Sequence, residues 1–139
     1  MNIDSIQNGF VIDHIPAGKG MTLYELLGLD ELDCSIALIK NVGSEKMGKK
    51  DIIKIDAAID INFDIIGFIA PEVTVNIIKD GEIIEKKSME LPLMLTGVIR
   101  CKNPRCITTT EQEIVHKFKL TDKENRVYRC IYCESKAQD

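Results

Sequence analysis

Glu72-Val-Thr-Val-Asn-Ile-Ile-Lys79 and Glu82-Ile-Ile-Glu-Lys-Lys87 alternate apolar with polar residues on either side of Asp80-Gly81. Asp-Gly between two alternating runs is the strongest short hairpin signal, because the tight turn needs residues that accept a positive φ. Just before it, Ile61-Asn-Phe-Asp-Ile-Ile-Gly-Phe-Ile-Ala70 sets Ile61, Ile65, Phe68 and Ile69 on one face at helical spacing, and Pro71 stops the run. Helix followed by hairpin is therefore the reading from residue 61 to residue 87.

Upstream the same grammar repeats. Gly9-Phe-Val-Ile-Asp-His-Ile15 is a short apolar strand ended by Pro16 and Gly18. Thr22-Leu-Tyr-Glu25 has the capping-box pattern, and Leu23, Leu26 and Leu27 supply a stripe, which predicts a helix over about residues 21 to 29. Ser35 to Val42 and Asp51 to Ile55 then form strands joined by the polar turn Gly43-Ser-Glu-Lys-Met-Gly-Lys-Lys50. Two strand-helix-strand units in tandem predict an α+β fold, a ferredoxin-like sheet with both helices on one face. Ser88 to Gly97 shows little periodicity and reads as a connector. The expected domains are 1–90 and 91–139, the second built of short strands at Ile114 to Leu120 and Arg126 to Cys130.

That second domain carries Cys101-Lys-Asn-Pro-Arg-Cys106 and Cys130-Ile-Tyr-Cys133, two close pairs separated by 23 residues. Zinc takes four soft donors at tetrahedral corners, and each short loop presents two thiolates without strain. Four thiolates leave no open position, so the expected ion, one zinc per chain, is structural. A redox pair at Cys130 and Cys133, or disulfides, are the rival readings. The module is too small to hold together without such a staple. Cys34 lies in the apolar run Cys34-Ser-Ile-Ala-Leu-Ile39 and reads as a buried small hydrophobe.

The chain has 139 residues and a net charge of −4, divided into −7 for residues 1–96 and +3 for residues 97–139. With 5% aromatics and no Trp, neither part offers the basic, aromatic-bearing face of a nucleic-acid binder. A leader and a membrane-length apolar run are both missing, so a cytoplasmic protein is expected, where reduced thiols are usual. With two histidines and no nucleophile elbow or metalloprotease pattern, no enzyme is read. Gly43 to Lys50 imitates a phosphate loop, but Lys50 stands where Ser or Thr is required and a strand follows in place of a helix.

Lys54 within Asp51-Ile-Ile-Lys-Ile55 and Lys86 near the end of its strand read, taken alone, as outward charges on half-exposed strands. Asp13 and His14 read as polar residues capping a strand end. Convergence of the four would instead make a pocket with a carboxylate for ribose hydroxyls and cations for phosphates.

Gly9-Phe-Val-Ile-Asp-His-Ile-Pro16, Glu45-Lys-Met-Gly-Lys-Lys-Asp-Ile-Ile-Lys-Ile55, Ala70-Pro-Glu-Val-Thr-Val-Asn76, Leu91-Pro92 and the two cysteine loops resemble, in order, the regulatory chain of aspartate carbamoyltransferase. The resemblance implies a non-catalytic subunit of pyrimidine biosynthesis. Its N-terminal domain would bind CTP and ATP competitively, and its zinc domain would dock on the catalytic chain. Two catalytic trimers bridged by three regulatory dimers would form the assembly. By position, it implies that Asp13 and Lys54 hold the ribose, and that Lys86 and His14 face the triphosphate. Ile6 and Val11 would contact the base, and Ile3, Ser5, Ile52, Asn76 and Ile83 would line the pocket. Cys101, Cys106, Cys130 and Cys133 would hold zinc, with Asn103 and Glu134 touching the catalytic chain. The chain departs from that pattern in the eight residues before Gly9, where longer members carry an extension. It departs also at Gly81, where an aromatic can sit near the base, at Arg105 in place of Asn, and in a shorter second helix. A stand-alone zinc ribbon that binds nucleic acid or a transcription partner is the alternative.

Overall fold

The computed structural model describes residues 6–137 and divides the chain into two units, Met1–Glu90 and Leu91–Asp139. In the first, strands β1 (Gly9–Pro16), β2 (Ser35–Ser44), β3 (Gly48–Asp56), β4 (Thr74–Lys79) and β5 (Glu82–Ser88) form one sheet in the order β2-β3-β1-β4-β5, each neighbouring pair antiparallel. Helices α1 (Gly20–Leu26) and α2 (Phe63–Ile69) follow β1 and β3. The first four strands have the ferredoxin-like order, and β5 extends that sheet by one hairpin. Its turn is as expected, with φ of 53° at Asp80 and 79° at Gly81.

Strand parity separates the two faces of the sheet. Ile12, Ile15, Ile53, Ile55 and Val75 form one buried cluster with Leu23 of α1 and Ile66 of α2, so both helices cover the same face. Each such side chain contributes about 2–3 kcal/mol by leaving water. Cys34 packs at the margin of this core, as an ordinary small hydrophobe would.

Both helices differ in detail from the sequence expectation. Thr22 lies inside α1, whose N-cap position is Lys19 with no side-chain cap. Asp51 of β3, fully buried, does that work: Oδ2 accepts from the amides of Gly18 and Gly20, at 3.1 and 3.0 Å, and Oδ1 from Asn41 at 3.1 Å. A Cβ on Gly20 would stand 2.7 Å from Asp51 Oδ2, so glycine is what lets the carboxylate approach. Leu26 is exposed, and Leu23 with Leu29 of a following 3-10 turn carries the burial instead. In α2, Asn62 caps the start by accepting from Asp64 N. Lys19 Nζ reaches the Ile69 carbonyl at the other end. The buried residues of α2 are Ile66 and Gly67; Phe68 lies outside the core cluster.

The second unit is a three-stranded antiparallel sheet, β6 (Met94–Thr96), β7 (Lys117–Asp122) and β8 (Val127–Cys130), with a short helix α3 (Ile107–Thr110). Strand β6 falls in the segment read as connector, because three residues are too few to show alternation. Leu95, Phe118 and Tyr128 are its large fully buried side chains, and Tyr128 Oη donates to the Pro92 carbonyl at 2.6 Å. Among the described residues, no helix is long and apolar enough to cross a membrane.

Candidate functional site

The sheet face away from the helices carries the first site. Lys54 lies between Ile53 and Ile55, both in the helix-side core, and so must point the other way. Lys87 sets its ammonium 4.2 Å from the centre of the Phe63 ring in α2, which leaves its neighbour Lys86 on the open face. The register then aligns the residues: Lys54 pairs with Val11, Val11 with Asn76, and Asn76 with Lys86. One row across β3, β1, β4 and β5 thus holds a cation at each end, an apolar residue and an amide between, over three strand spacings or about 14 Å.

Beneath this row the floor is apolar. Ile6, Val11 and Ile78 are buried together, with Ile52 packed against them. Lys54 is only 3% exposed and Asn76 8%, while Lys86 is exposed. Asn76 Oδ1 and His14 Nδ1 are buried with no hydrogen-bond partner among the described residues. A buried acceptor left so costs about 1–3 kcal/mol, which marks a place where a ligand could complete the set.

Asp13 and His14 sit where β1 breaks register between Ile12 and Ile15. His14 has a φ of 63°, unusual for a residue with a side chain, and its N–H donates to Asp13 Oδ1 at 2.6 Å. Lys50 Nζ lies 2.9 Å from the same oxygen, fixing the carboxylate. Ile83 pairs with Ile78 but is exposed on β5. Ile3 and Ser5 lie outside the described residues. Lys50 and Ile78 are members that sequence reasoning missed. The register signal for both was present, since Lys50 keeps parity with Lys54, and Ile78 keeps parity with Asn76.

The phosphate-loop imitation folds otherwise: Gly43 to Lys50 is the β2–β3 turn with flanking strand residues, and β3 continues after it.

In the second unit, Cys101, Cys106, Cys130 and Cys133 bring four Sγ atoms within 4.8 Å of one another. Cys101 and Cys133 are 3.5 Å apart, Cys106 and Cys130 3.7 Å. A disulfide requires about 2.05 Å, whereas the edge of a tetrahedron with metal–sulfur bonds of ~2.3 Å is about 3.8 Å. The donor set therefore fits zinc. Burial pushes each thiol up, and prevails at Cys130 and at Cys101, which reaches about 12. At Cys133 burial is outweighed by hydrogen bonds from Ser135 and Asn103, which bring it down to about 6, and at Cys106 by hydrogen bonds from Thr108. The crowded sulfurs thus share charge unevenly, two thiols being raised and two lowered.

The supporting contacts are local. His116 Nδ1 accepts from Cys101 N at 2.9 Å. Asn103 Oδ1 accepts from Arg105 N at 3.0 Å, and its Nδ2 donates to Ser135 Oγ at 3.3 Å. Glu134 is exposed with a φ of 65°, and its carbonyl accepts from Arg129. Both Asn103 and Glu134 therefore belong to the loops that carry the cysteines.

Residues 1–90 match the family model described as aspartate carbamoyltransferase regulatory chain, allosteric domain, and residues 94–139 match its metal binding domain. The chain is 52% identical over 135 residues to the aspartate carbamoyltransferase regulatory chain of Clostridium tetani, covering 96% of this chain and 94% of that one. It is 50% identical over 134 residues to that of Clostridium botulinum, covering 96% and 92%. Against the Bifidobacterium longum protein of the same name the identity is 46% over 138 residues, covering 99% of both.

Proposed function

The chain belongs to the aspartate carbamoyltransferase regulatory chains, non-catalytic proteins with an allosteric and a metal-binding domain, and on that premise we propose that it binds CTP and ATP at one competitive site and passes their effect to a catalytic chain. The observation that carries this reading is the row Lys54–Val11–Asn76–Lys86 on the open sheet face, above an apolar floor and beside the Asp13–His14 bulge. Cations serve the phosphates through charge-assisted contacts, with Lys86 and His14 toward the triphosphate. Asp13 and Lys54 hold the ribose, and Ile6, Val11, Ile52 and Ile83 face or flank the base.

The four thiolates hold one structural zinc ion, which supplies no open coordination position and so no chemistry beyond folding. Asn103 and Glu134, on the cysteine loops, are the contacts to the catalytic chain. The docking surface exists only while the metal keeps those loops in place. The assembly is two catalytic trimers joined by three regulatory dimers, in the cytoplasm, serving pyrimidine biosynthesis. A nucleotide regulates that assembly only by binding one quaternary state more tightly than another.

Calorimetric titration of the zinc-loaded chain with CTP and ATP tests the pocket. Competitive binding by wild type, lost in the Lys54→Ala, Lys86→Ala double variant, is expected. No binding to the folded wild-type chain, alone or with its catalytic partner, overturns the reading.

A further inference from the structure

Gln7 stands at the end of the open face where β4 turns into β5. Its backbone is held on both sides, the N–H donating to Asp56 Oδ1 at 3.3 Å and the carbonyl accepting from Gly81 N at 2.9 Å. The side chain is exposed, and its carboxamide covers Gly81: Oε1 lies 3.5 Å and Nε2 3.9 Å from where a Cβ on that glycine would be. With φ at 79°, Gly81 occupies a conformation that side-chain-bearing residues take only under strain, so the amide of Gln7 is the group that borders this space.

The register gives the place its meaning. Along β1, Asp13 pairs with Thr74, Val11 with Asn76 and Gly9 with Ile78, so the face runs from the charged bulge, through the lysine row, to the Ile78 end and the hairpin tip. Ile6, buried against Ile78, immediately precedes Gln7. A nucleotide whose phosphates meet the cations lays its base at the other, apolar end, against Gln7.

We propose that the Gln7 carboxamide reads the hydrogen-bonding edge of the base and makes the site tolerant of both amino-bearing and oxo-bearing bases; the inference rests on the nucleotide reading above. A carboxamide offers a donor and an acceptor on one planar group and can turn to present either. Set against the exocyclic 4-position of a pyrimidine, it therefore meets the amino donor of cytosine with its oxygen or the oxo acceptor of uracil with its nitrogen. Any single-character side chain at this position would choose between them.

The test is titration of the zinc-loaded chain with CTP and UTP in wild type, Gln7→Glu, Gln7→Lys and Gln7→Met. The two nucleotides share ribose and triphosphate, so the charge that a variant adds acts equally on both and cancels in their affinity ratio. Glu only accepts and Lys only donates. The CTP-to-UTP affinity ratio is expected to rise about tenfold in Gln7→Glu and to fall about tenfold in Gln7→Lys, a hydrogen bond gained on one base being lost on the other. Gln7→Met, uncharged and of similar length, should weaken both nucleotides severalfold and leave the ratio near that of wild type. Ratios within twofold of wild type in both charged variants, or full affinity in Gln7→Met, overturn the assignment while leaving the pocket intact. Absence of any nucleotide binding by wild type overturns the pocket itself, and this inference with it.

Discussion

Replacing Asp51 tests whether a buried carboxylate, rather than a local cap, organises the start of α1. Asp51 accepts three backbone amides, from Gly18 and Gly20 on Oδ2 and from Asn41 on Oδ1. A buried donor deprived of its acceptor costs about 1–3 kcal/mol, so Asp51→Ala should destabilise the first unit by roughly 3–6 kcal/mol. Asp51→Asn separates shape from hydrogen-bonding capacity. Its best orientation keeps an oxygen toward Gly18 and Gly20 and turns its NH2 against the N–H of Asn41, so one contact of three becomes donor against donor. The expected cost is about 2–4 kcal/mol. Urea unfolding followed through backbone amide signals of residues 6–90 gives the free energy for that unit alone, and hydrogen exchange gives the distribution. Exchange at Asn41 in Asp51→Asn should quicken more than at Gly18 or Gly20. A loss below about 1 kcal/mol in both variants, or equal acceleration at all three amides, would refute the reasoning.

Lys86→Ala should weaken CTP binding at least tenfold while leaving the urea midpoint close to wild type, because the side chain is exposed on an edge strand; equal affinity in calorimetry would defeat it. Stripping zinc with a chelator, or Cys133→Ser, should unfold the second unit and release the chain from its catalytic partner, and sedimentation showing an intact complex would count against the docking role. Zinc uptake near pH 7 should release close to four protons per ion, since the metal-free unit is unfolded and its four thiols, at the ordinary value of about 8.5, must all ionise to bind. Affinity should therefore rise with pH, and fewer than one proton per zinc in weakly buffered solution would contradict this. Gly9→Ala should be among the most damaging single changes in the first unit, since the added carbon would fall on the carbonyl oxygen of Ile55, and near-native stability would show that β1 and β3 can part there at little cost.

What could be read from the chain follows the range of the interactions concerned. The Asp80-Gly81 turn and the four-cysteine spacing are local, and each is reproduced in place. The direction of Lys54 was legible in principle from parity, since Ile53 and Ile55 flank it, but a period of two says only that faces alternate. It does not say which face meets helices. The Thr22 capping box failed for the complementary reason. A capping pattern is a statement about four neighbouring residues, and the amides of this helix start are answered from Asp51, 31 residues on from Gly20. Strand β6 escaped because its partners on β7 lie more than twenty residues downstream. Lys50 in turn looks like part of a polar turn, because the carboxylate it meets, Asp13, belongs to another strand.

The two-faced sheet has a consequence for how such a chain can change over generations. On β1, β3 and β4, neighbouring positions belong to different constraints: Val75 answers to packing against the helices, Asn76 to whatever lies on the other side. A substitution at an open-face position can alter which small molecule is welcome without disturbing the dry layer one residue away. Descendants of one ancestral sequence can thus diverge in the metabolites to which they respond while keeping the same interior, the divergence being written in every second letter of the strands.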